Sequence, residues 1–329
     1  MKILHTLHWV QFAGTEKVCV ELCNEFCKNH EVFLMSNAKL DTDKKVNFIE
    51  LDFEKNRYNP LFLRRVAKIL SQISPDIIHC HNAKELEIMH NARFFMKNKI
   101  PLVATRHNAE LKKKFAYADL GVAVSKETMN FMNSKKNILI ENGIPFISPT
   151  KLDLGDKFNI IGVGRLAKVK GWDLLIKALS KVNFDFKLIL LGSGDEKESL
   201  ENLAKKLGIF DKIEFDFVKN VNDYIFSSDL QIIASKEEGL SLALIEGIFY
   251  AKMLLASNIA NHSDLIGKEL VFDRNDEILT SKLNEIYANY DKFVEIFAKV
   301  KATKEKFSIE NMANQYIKAY KSLITDKNS

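Results

Sequence analysis

Cysteine and proline are scarce in this chain, four and five among 329 residues. Four cysteines do not make a disulfide scaffold. Cys19, Cys23 and Cys27 recur every fourth residue as one stripe of a helix, and free cysteine packs as a small apolar residue. The stripe therefore reads as core. With Cys80 inside an apolar strand, it fits a reducing cytoplasm. Glycine and proline are too few for a collagen-like repeat, and 47% hydrophobic against 28% charged residues excludes a disordered chain. No apolar run approaches the ~18 residues of a membrane-spanning helix. The start, Met1-Lys2-Ile3-Leu4-His5-Thr6-Leu7-His8, has too short an apolar run for a signal peptide and is broken by histidines. The expectation is a cytoplasmic chain that does not cross a membrane but is free to lie on one.

Net charge is also small, +5, which is weak ground for a nucleic-acid partner. Its distribution says more. Residues 1–150 hold 22 Lys and Arg against 16 Asp and Glu, whereas residues 151–329 hold 26 against 27. Seven of the eight histidines lie at or before His107. At about 100–200 residues per domain the length suggests two domains. Two halves with such different inventories suggest two different ligands.

Apolar periodicity alternates strands and helices throughout. Strands are expected over Lys2–Leu7, Glu31–Ser36, Val46–Leu51, Asp76–His81, Leu102–Thr105, Leu120–Val124 and Asn137–Ile140, with helices over Thr15–Asn29 and Leu61–Ile73. Pro145 and Pro149 mark Gly143–Thr150 as the linker. The alternation then restarts. Strands are expected over Phe158–Val163, Lys187–Leu191, Ile213–Phe215, Leu230–Ala234, Met253–Ser257 and Leu270–Phe272. Helices are expected over Trp172–Lys181, Lys197–Leu207, Val221–Ser227 and Leu242–Ala251, and from about Asp276 to the end. Repeated strand–helix units imply an α/β class with parallel sheets covered on both faces, here as two doubly wound domains. Ligands of such sheets bind outside the carboxyl ends of the strands at topological switch points, and the natural site is the cleft between the domains.

Five segments are candidates for chemistry. Gly162-Val163-Gly164-Arg165-Leu166-Ala167 matches the relaxed dinucleotide fingerprint, which on its own would predict an NAD-dependent dehydrogenase. That reading wants an acidic residue at the end of the second strand, and Asp195 comes late, inside a glycine turn. Arg165 points elsewhere, because a guanidinium fork suits phosphate oxygens and Lys170 adds a point charge in the next turn. The plainer alternative is a solvated Arg and Lys at a helix start. Glu237-Glu238-Gly239-Leu240-Ser241 opens an apolar helix, whose N-terminus aims N–H groups at whatever lies in front of it. Glu246 follows Glu238 by eight residues. Buried in its apolar stretch it would need donors such as sugar hydroxyls, whereas periodicity alone makes it the solvent face of an amphipathic helix. Ala13-Gly14-Thr15-Glu16 forms another anion-compatible turn after the first strand. His79 and His81 share one side of a strand, but no third ligand at useful spacing accompanies them, so no metal site is expected. His107 ends the strand that carries Thr105 and Arg106, a position that favours function over packing.

These residues together resemble the retaining GT-B glycosyltransferases of family four, also termed glycosyl transferases group one, of bacterial polysaccharide and lipopolysaccharide assembly. Gly162–Ala178 is similar to that family's Gly-Arg-Leu…Lys-Gly block, Leu188–Gly208 to its Gly-x-Gly turn and helix, and Phe215–Val218 with Ser228–Ala234 to its base-binding stretch. Glu238 and Glu246 match its E-x7-E pair, and Phe307–Leu323 its final helices. Gly14, Glu16, His79, His81, His107, Ser125 and Asn142-Gly143 match more loosely. Four places depart from the pattern: Ala13-Gly14 for a double glycine, Gly247 for alanine, Ala251-Lys252-Met253 for Gly-x-Pro, and Ala260-Asn261-His262-Ser263-Asp264 for Gly-Gly-x-x-Glu.

The resemblance implies two Rossmann-like domains facing across a cleft: residues 1–147 for the acceptor, 148–306 for the nucleotide sugar, and a helix over 307–329 returning to the first. It assigns the donor diphosphate to Arg165, Lys170, Gly164 and Gly14, and the base to Val218. Sugar hydroxyls fall to Glu238, the ribose to Glu246, and the leaving group to the helix start at Gly239, Leu240 and Ser241. His107 is placed beside the reacting carbon, which makes His107, Glu238, Arg165 and Lys170 the expected catalytic set. Neither metal nor cofactor is implied. The donor would be a nucleotide-diphosphate sugar, UDP-linked. No residue stands out as a covalent nucleophile, so retention points to front-side attack. The basic first half, with Arg64-Arg65 and Lys112-Lys113-Lys114, suits a glycan or glycolipid acceptor, an anionic membrane surface, or merely solvent, with nucleic acid no longer expected. A nucleotide-sugar 2-epimerase and an inactive sugar-nucleotide binder share the same features.

Overall fold

The computed structural model describes residues 1–8, 14–108, 110 and 112–328, without the side chains of 260 and 326–328. Two compact units divide the chain, Met1–Pro145 with Lys306–Ser329, and Phe146–Glu305. Ala13, the first residue of the expected anion-compatible turn, lies outside the described residues.

In the first unit the order is β1 (Lys2–Leu7), α1 (Gly14–Phe26), β2 (Glu31–Ser36), β3 (Asn47–Glu50), α2 (Pro60–Ile73), β4 (Ile77–Cys80) and α3 (Ala83–Ala92). It continues through β5 (Leu102–Arg106), β6 (Leu120–Ala123), α4 (Lys126–Met129) and β7 (Lys136–Leu139). Its strands form one parallel sheet in the order β3-β2-β1-β4-β5-β6-β7. The chain walks outward from β1 to β3, then returns to the other side of β1, so the switch point lies between β1 and β4. Right-handed crossovers then put helices on both faces, which is why the inner strands are apolar throughout rather than alternating. Leu4, Ile78, Cys80 and Leu102 pack with Phe62, Val66, Leu70, Leu86 and Met89 of α2 and α3 in one core. The start of α2 is fixed by Asn59, whose Oδ1 accepts from the N–H groups of Leu61 and Phe62 at 3.0 and 3.4 Å, with Pro60 in the first turn.

The second unit repeats the plan. It contains β8 (Phe158–Val163), α5 (Trp172–Leu179), β9 (Phe186–Leu191), α6 (Lys197–Lys206), β10 (Ile213–Asp216), α7 (Val221–Ser227) and β11 (Leu230–Ile233). Then come α8 (Leu242–Tyr250), β12 (Leu254–Ser257), α9 (Ala260–Ile266), β13 (Val271–Phe272), α10 (Asp276–Ala288) and α11 (Tyr290–Lys301). The sheet order β10-β9-β8-β11-β12-β13, again parallel, puts the switch point between β8 and β11. The last helix, α12 (Ile309–Asn328), belongs to the first unit and packs against α1. It enters through backbone bonds from Ile144 N–H to the Phe307 carbonyl and from Ile309 N–H to the Ile144 carbonyl, both 3.0 Å.

Strand positions agree with the periodic reading to within a residue or so, while three helices were not expected: α3, α4 and α9. The most consequential is α3. Its buried residues include Glu85 and Glu87 as well as Leu86, Ile88 and Met89, so no apolar stripe announces it. The helix expected over Thr15–Asn29 stops at Phe26, where His30 N–H closes a turn on the Phe26 carbonyl at 2.9 Å.

Candidate active site

In the second unit the predicted donor residues gather at the carboxyl ends of β8 and β11. The two glycine turns after β8 and β9 lie directly on one another. Leu166 N–H donates to the Ser193 carbonyl at 2.9 Å and Glu196 N–H to the Leu166 carbonyl at 3.0 Å, and a side chain at Gly192 would overlap the Gly164 carbonyl. Trp172, buried at the start of α5, donates its indole N–H to the Arg165 carbonyl at 2.9 Å. That pins the backbone of Arg165 while its side chain stays exposed, and no described residue pairs with the guanidinium.

Lys170 is ion-paired with Glu238, the two side chains 17% and 15% exposed. The turn that carries Lys170 is held to β11. Gly171 adopts φ +69°, a side chain there would overlap the Ala234 carbonyl, and Lys236 N–H bonds the Val169 carbonyl at 2.7 Å. Glu238 also accepts from the Ser235 hydroxyl at 2.7 Å. Its turn is clamped by the Asn261 amide, which donates to the carbonyls of Glu238 and Gly239 at 2.9 and 2.7 Å. Leu240 is buried, and Ser241 caps α8 by accepting from Leu244 N–H at 3.4 Å. Val218 lies just beyond β10, at the sheet edge.

Glu246 overturns the amphipathic reading of α8. The helix is buried nearly all round, from Leu244 to Tyr250, and Glu246 is 4% exposed. Periodicity fails there because a helix buried on all sides has no solvent face to mark it.

The first unit builds its switch point from imidazoles. Strand register sets His5 of β1 opposite His79 of β4. His5 Nδ1 lies 3.0 Å from His81 Nε2, and His81 Nδ1 lies 3.4 Å from His107 Nε2, at the end of β5. The rings of His79 and His81 stack at 4.4 Å, and those of His81 and His107 at 5.6 Å. α12 completes the cluster: Tyr320 hydroxyl meets His79 Nδ1 at 2.6 Å, and Tyr316 hydroxyl meets Thr105 Oγ1 at 2.8 Å, which in turn meets His79 Nε2 at 2.7 Å. Burial disfavours the imidazolium, so His5 is pushed down to about 3 and His107 to about 4, with His79 and His81 well below their ordinary value. All four rings are neutral at pH 7.

Along the sequence His79 and His81 have no third metal-ligand candidate at useful spacing. The fold supplies one in His5, and ligand atoms of His5, His79 and His81 lie within 4.8 Å of one another. Both nitrogens of His79 and of His81 already carry hydrogen bonds, His5 keeps Nε2 over, and ligand atoms of His5, Cys19 and Cys23 also lie within 4.8 Å of one another. Gly14 stands at the first residue of α1 in the same unit.

Sequence reasoning missed Glu85. This fully buried carboxylate accepts from the N–H groups of His8, His81 and Asn82 at 2.6, 3.1 and 3.2 Å, and from the Thr6 hydroxyl at 3.3 Å. It holds the ends of β1 and β4 together. The signal was present as an asparagine followed three residues later by glutamate, the pattern of a helix start. Ser235, Tyr316 and Tyr320 were missed too, and no local signal marks them, whereas Asn261 lies in the loop already set against the family's Gly-Gly-x-x-Glu.

Two family models divide the chain between them. Residues 146–307 match "Glycosyl transferases group 1", and residues 12–145 match "Glycosyltransferase Family 4". The O-antigen biosynthesis glycosyltransferase WclY of Escherichia coli is 24% identical, over 99% of this chain and 99% of its own. A Campylobacter jejuni alpha-1,4-N-acetyl-D-galactosaminyltransferase, named for a diNAcBac-PP-undecaprenol-linked substrate, is 26% identical over 97% and 98%. In structure the chain is similar to Anabaena HepE, solved in complex with UDP and glucose: TM-score 0.86, 17% identity, 98% and 100% of the two chains covered. The fold is therefore that of the GT-B glycosyltransferases.

Proposed function

Since the chain belongs to the group 1 glycosyltransferases, we propose that it is a retaining enzyme of bacterial lipopolysaccharide or O-antigen assembly. It moves a hexose or N-acetylhexosamine from a UDP-linked donor to a growing lipopolysaccharide, capsule or lipid-linked glycan at the cytoplasmic face of the membrane. The observation that carries the reading is Arg165, an exposed, unpaired guanidinium on a tightly packed glycine turn at the β8–β11 switch point. Anionic ligands of parallel sheets bind at such points.

Glycosyl transfer builds positive charge on the sugar and negative charge on the departing diphosphate. Arg165 takes the diphosphate oxygens as a fork of donors, with Lys170 as a point charge. These groups are fixed before the reaction, so stabilising the leaving group costs no reorganisation. Glu238 holds Lys170 in place until hydroxyls of the donor sugar share its carboxylate. Glu246, inside α8, takes the ribose. His107 is kept neutral and so offers the acceptor side a hydrogen bond without a competing positive charge. The acceptor hydroxyl attacks on the face that the diphosphate leaves, its proton passing to the departing phosphate oxygen.

Incubation with a panel of UDP-, GDP- and CMP-sugars, read by mass spectrometry, tests the assignment. Slow hydrolysis of one UDP-sugar is expected, with transfer once a lipid-linked acceptor is added. Isomerisation of the donor without transfer would make the chain an epimerase, and NAD binding in preference to UDP would overturn the reading altogether.

A further inference from the structure

The structure separates the three cysteines that share one stripe of α1. Cys27 Sγ donates to the Asn24 carbonyl, one turn back, at 3.2 Å. Cys19 and Cys23 are free thiols, fully buried, and their four-residue spacing puts them on one face of the helix. That face meets His5 of β1: the two Sγ atoms and an imidazole nitrogen lie within 4.8 Å of one another. His5 is itself fully buried. Its Nδ1 is taken by His81 Nε2 at 3.0 Å, and its Nε2 has no hydrogen-bond partner. An unpartnered buried nitrogen is costly, and a bound cation is one way to satisfy it. Packing alone accounts for two thiols in an apolar core, but not for the imidazole nitrogen that stands with them. The surroundings favour positive charge. Burial pushes the Cys19 thiol up, and Cys23 and the buried carboxylates Glu85 and Glu16 push it further. The ring of Phe26, 5.7 Å from His5 and 6.0 Å from Tyr320, encloses the group in aromatic surface.

We propose that Cys19, Cys23 and His5 Nε2 form a structural site for one thiophilic cation, zinc(II) or copper(I). Two sulfurs and an imidazole select such metals over magnesium or calcium, which take oxygen. Ligands bound at about 2.0–2.3 Å from one ion stand about 3–4 Å apart, so small side-chain shifts close the set. Binding releases thiol protons to solvent, and two thiolates cancel the charge of zinc(II) where one cancels that of copper(I). The ion ties α1 to β1. It also fixes protons further on. With Nε2 on the metal, His5 keeps its proton on Nδ1 and donates to His81 Nε2, and His81 then donates from Nδ1 to His107 Nε2. The site does not rest on the glycosyl-transfer reading, and its test uses neither donor nor acceptor.

Titration of the untagged full chain, reduced and stripped with a chelator, tests it. Zinc chloride and, under anaerobic conditions, copper(I) are each added in competition with a chromophoric chelator. Binding of one equivalent is expected, with a melting temperature that rises with free metal, and the tighter of the two arms identifies the ion. C19A and C23A should each weaken binding more than about 100-fold, beyond the roughly 10–100-fold of losing an outer partner, while C27A and C80A stay within about three-fold of the unaltered protein. Circular dichroism checks that each variant folds, and C19S and C23S, closer in volume, replace any alanine variant that does not. X-ray absorption of the loaded protein gives an independent readout: sulfur at about 2.3 Å and nitrogen at about 2.0 Å from the metal. No stoichiometric binding of either metal, equal loss in C27A, or a metal surrounded by oxygen and nitrogen alone would each overturn the proposal.

Discussion

The two units share one sheet plan and build opposite environments at its switch point. Between β8 and β11 the second unit sets charge at the surface: Arg165 exposed, Lys170 and Glu238 paired and partly wet. Between β1 and β4 the first unit buries neutral rings, His5, His79 and His81, under the hydroxyls of Tyr316 and Tyr320. A doubly wound sheet therefore fixes where a ligand binds but not the electrostatics it meets. In the second unit, charge is affordable because water still screens it. In the first, desolvation has removed charge, leaving stacking and hydrogen bonds to orient the groups.

The largest expected effect breaks that comparison with acid. His5 and His107 protonate near 6.5 when unfolded but at about 3 and 4 in the fold, and His79 and His81 are lowered likewise. Between those values the unfolded chain binds more protons, so stability is complete above pH ~6.5 and falls as pH drops toward 4. Each imidazole contributes a slope of about 1.4 kcal/mol per pH unit, for a loss of several kcal/mol. Hydrogen exchange followed by mass spectrometry should show the first unit opening ahead of the second, whose buried His262 is its one histidine. Simultaneous loss of protection in both units would remove the distinction.

Arg165 sharpens the comparison from the other side. Substituting Arg165→Ala should cost about 10²–10³ in kcat/KM, the scale of removing one preorganised donor to developing charge, with little change in melting temperature because the side chain is exposed. His81→Phe should do the reverse, removing the hydrogen bond to His5 and the one that orients His107, and lowering stability along with kcat. If Arg165→Ala lowered stability as much as activity, the guanidinium would be structural.

Much of this is legible in the sequence, for reasons that differ by residue. Short apolar strands between glycine turns announced both sheets, and Gly164-Arg165 with Lys170 suggested the proposed anion site because these residues lie close together in sequence. Glu85 and the helix bearing it stayed hidden because hydrophobic periodicity cannot register a buried carboxylate. His5 looked like an unremarkable strand residue, and only parallel register brings it beside His79. Tyr316 and Tyr320 arrive from more than 200 residues away, a separation no local pattern reports. The burial of Glu246 was legible from its apolar surroundings and not from periodicity.

The smallest effect concerns the residue after Glu246. Glycine inside a helix costs up to about 1 kcal/mol relative to alanine, and the resembled family has alanine here. In this chain a Cβ at Gly247 would stand 2.6 Å from Gln231 Oε1 and 3.1 Å from a Leu254 methyl. Gln231 is buried on β11, donates to the Ala243 carbonyl at 2.8 Å and leaves Oε1 without a partner among the described residues. The glutamine occupies the space an alanine methyl would need, so the two positions should be coupled. Gly247→Ala alone should destabilise by about 1 kcal/mol, some 2–4 °C in melting temperature. In a Gln231→Val background the same change should be neutral or stabilising, because the obstruction is gone and the helix gain remains. A double-mutant cycle by thermal denaturation measures this. Equal effects of Gly247→Ala in both backgrounds would mean that the glycine answers to the ligand side of α8 rather than to the core behind it.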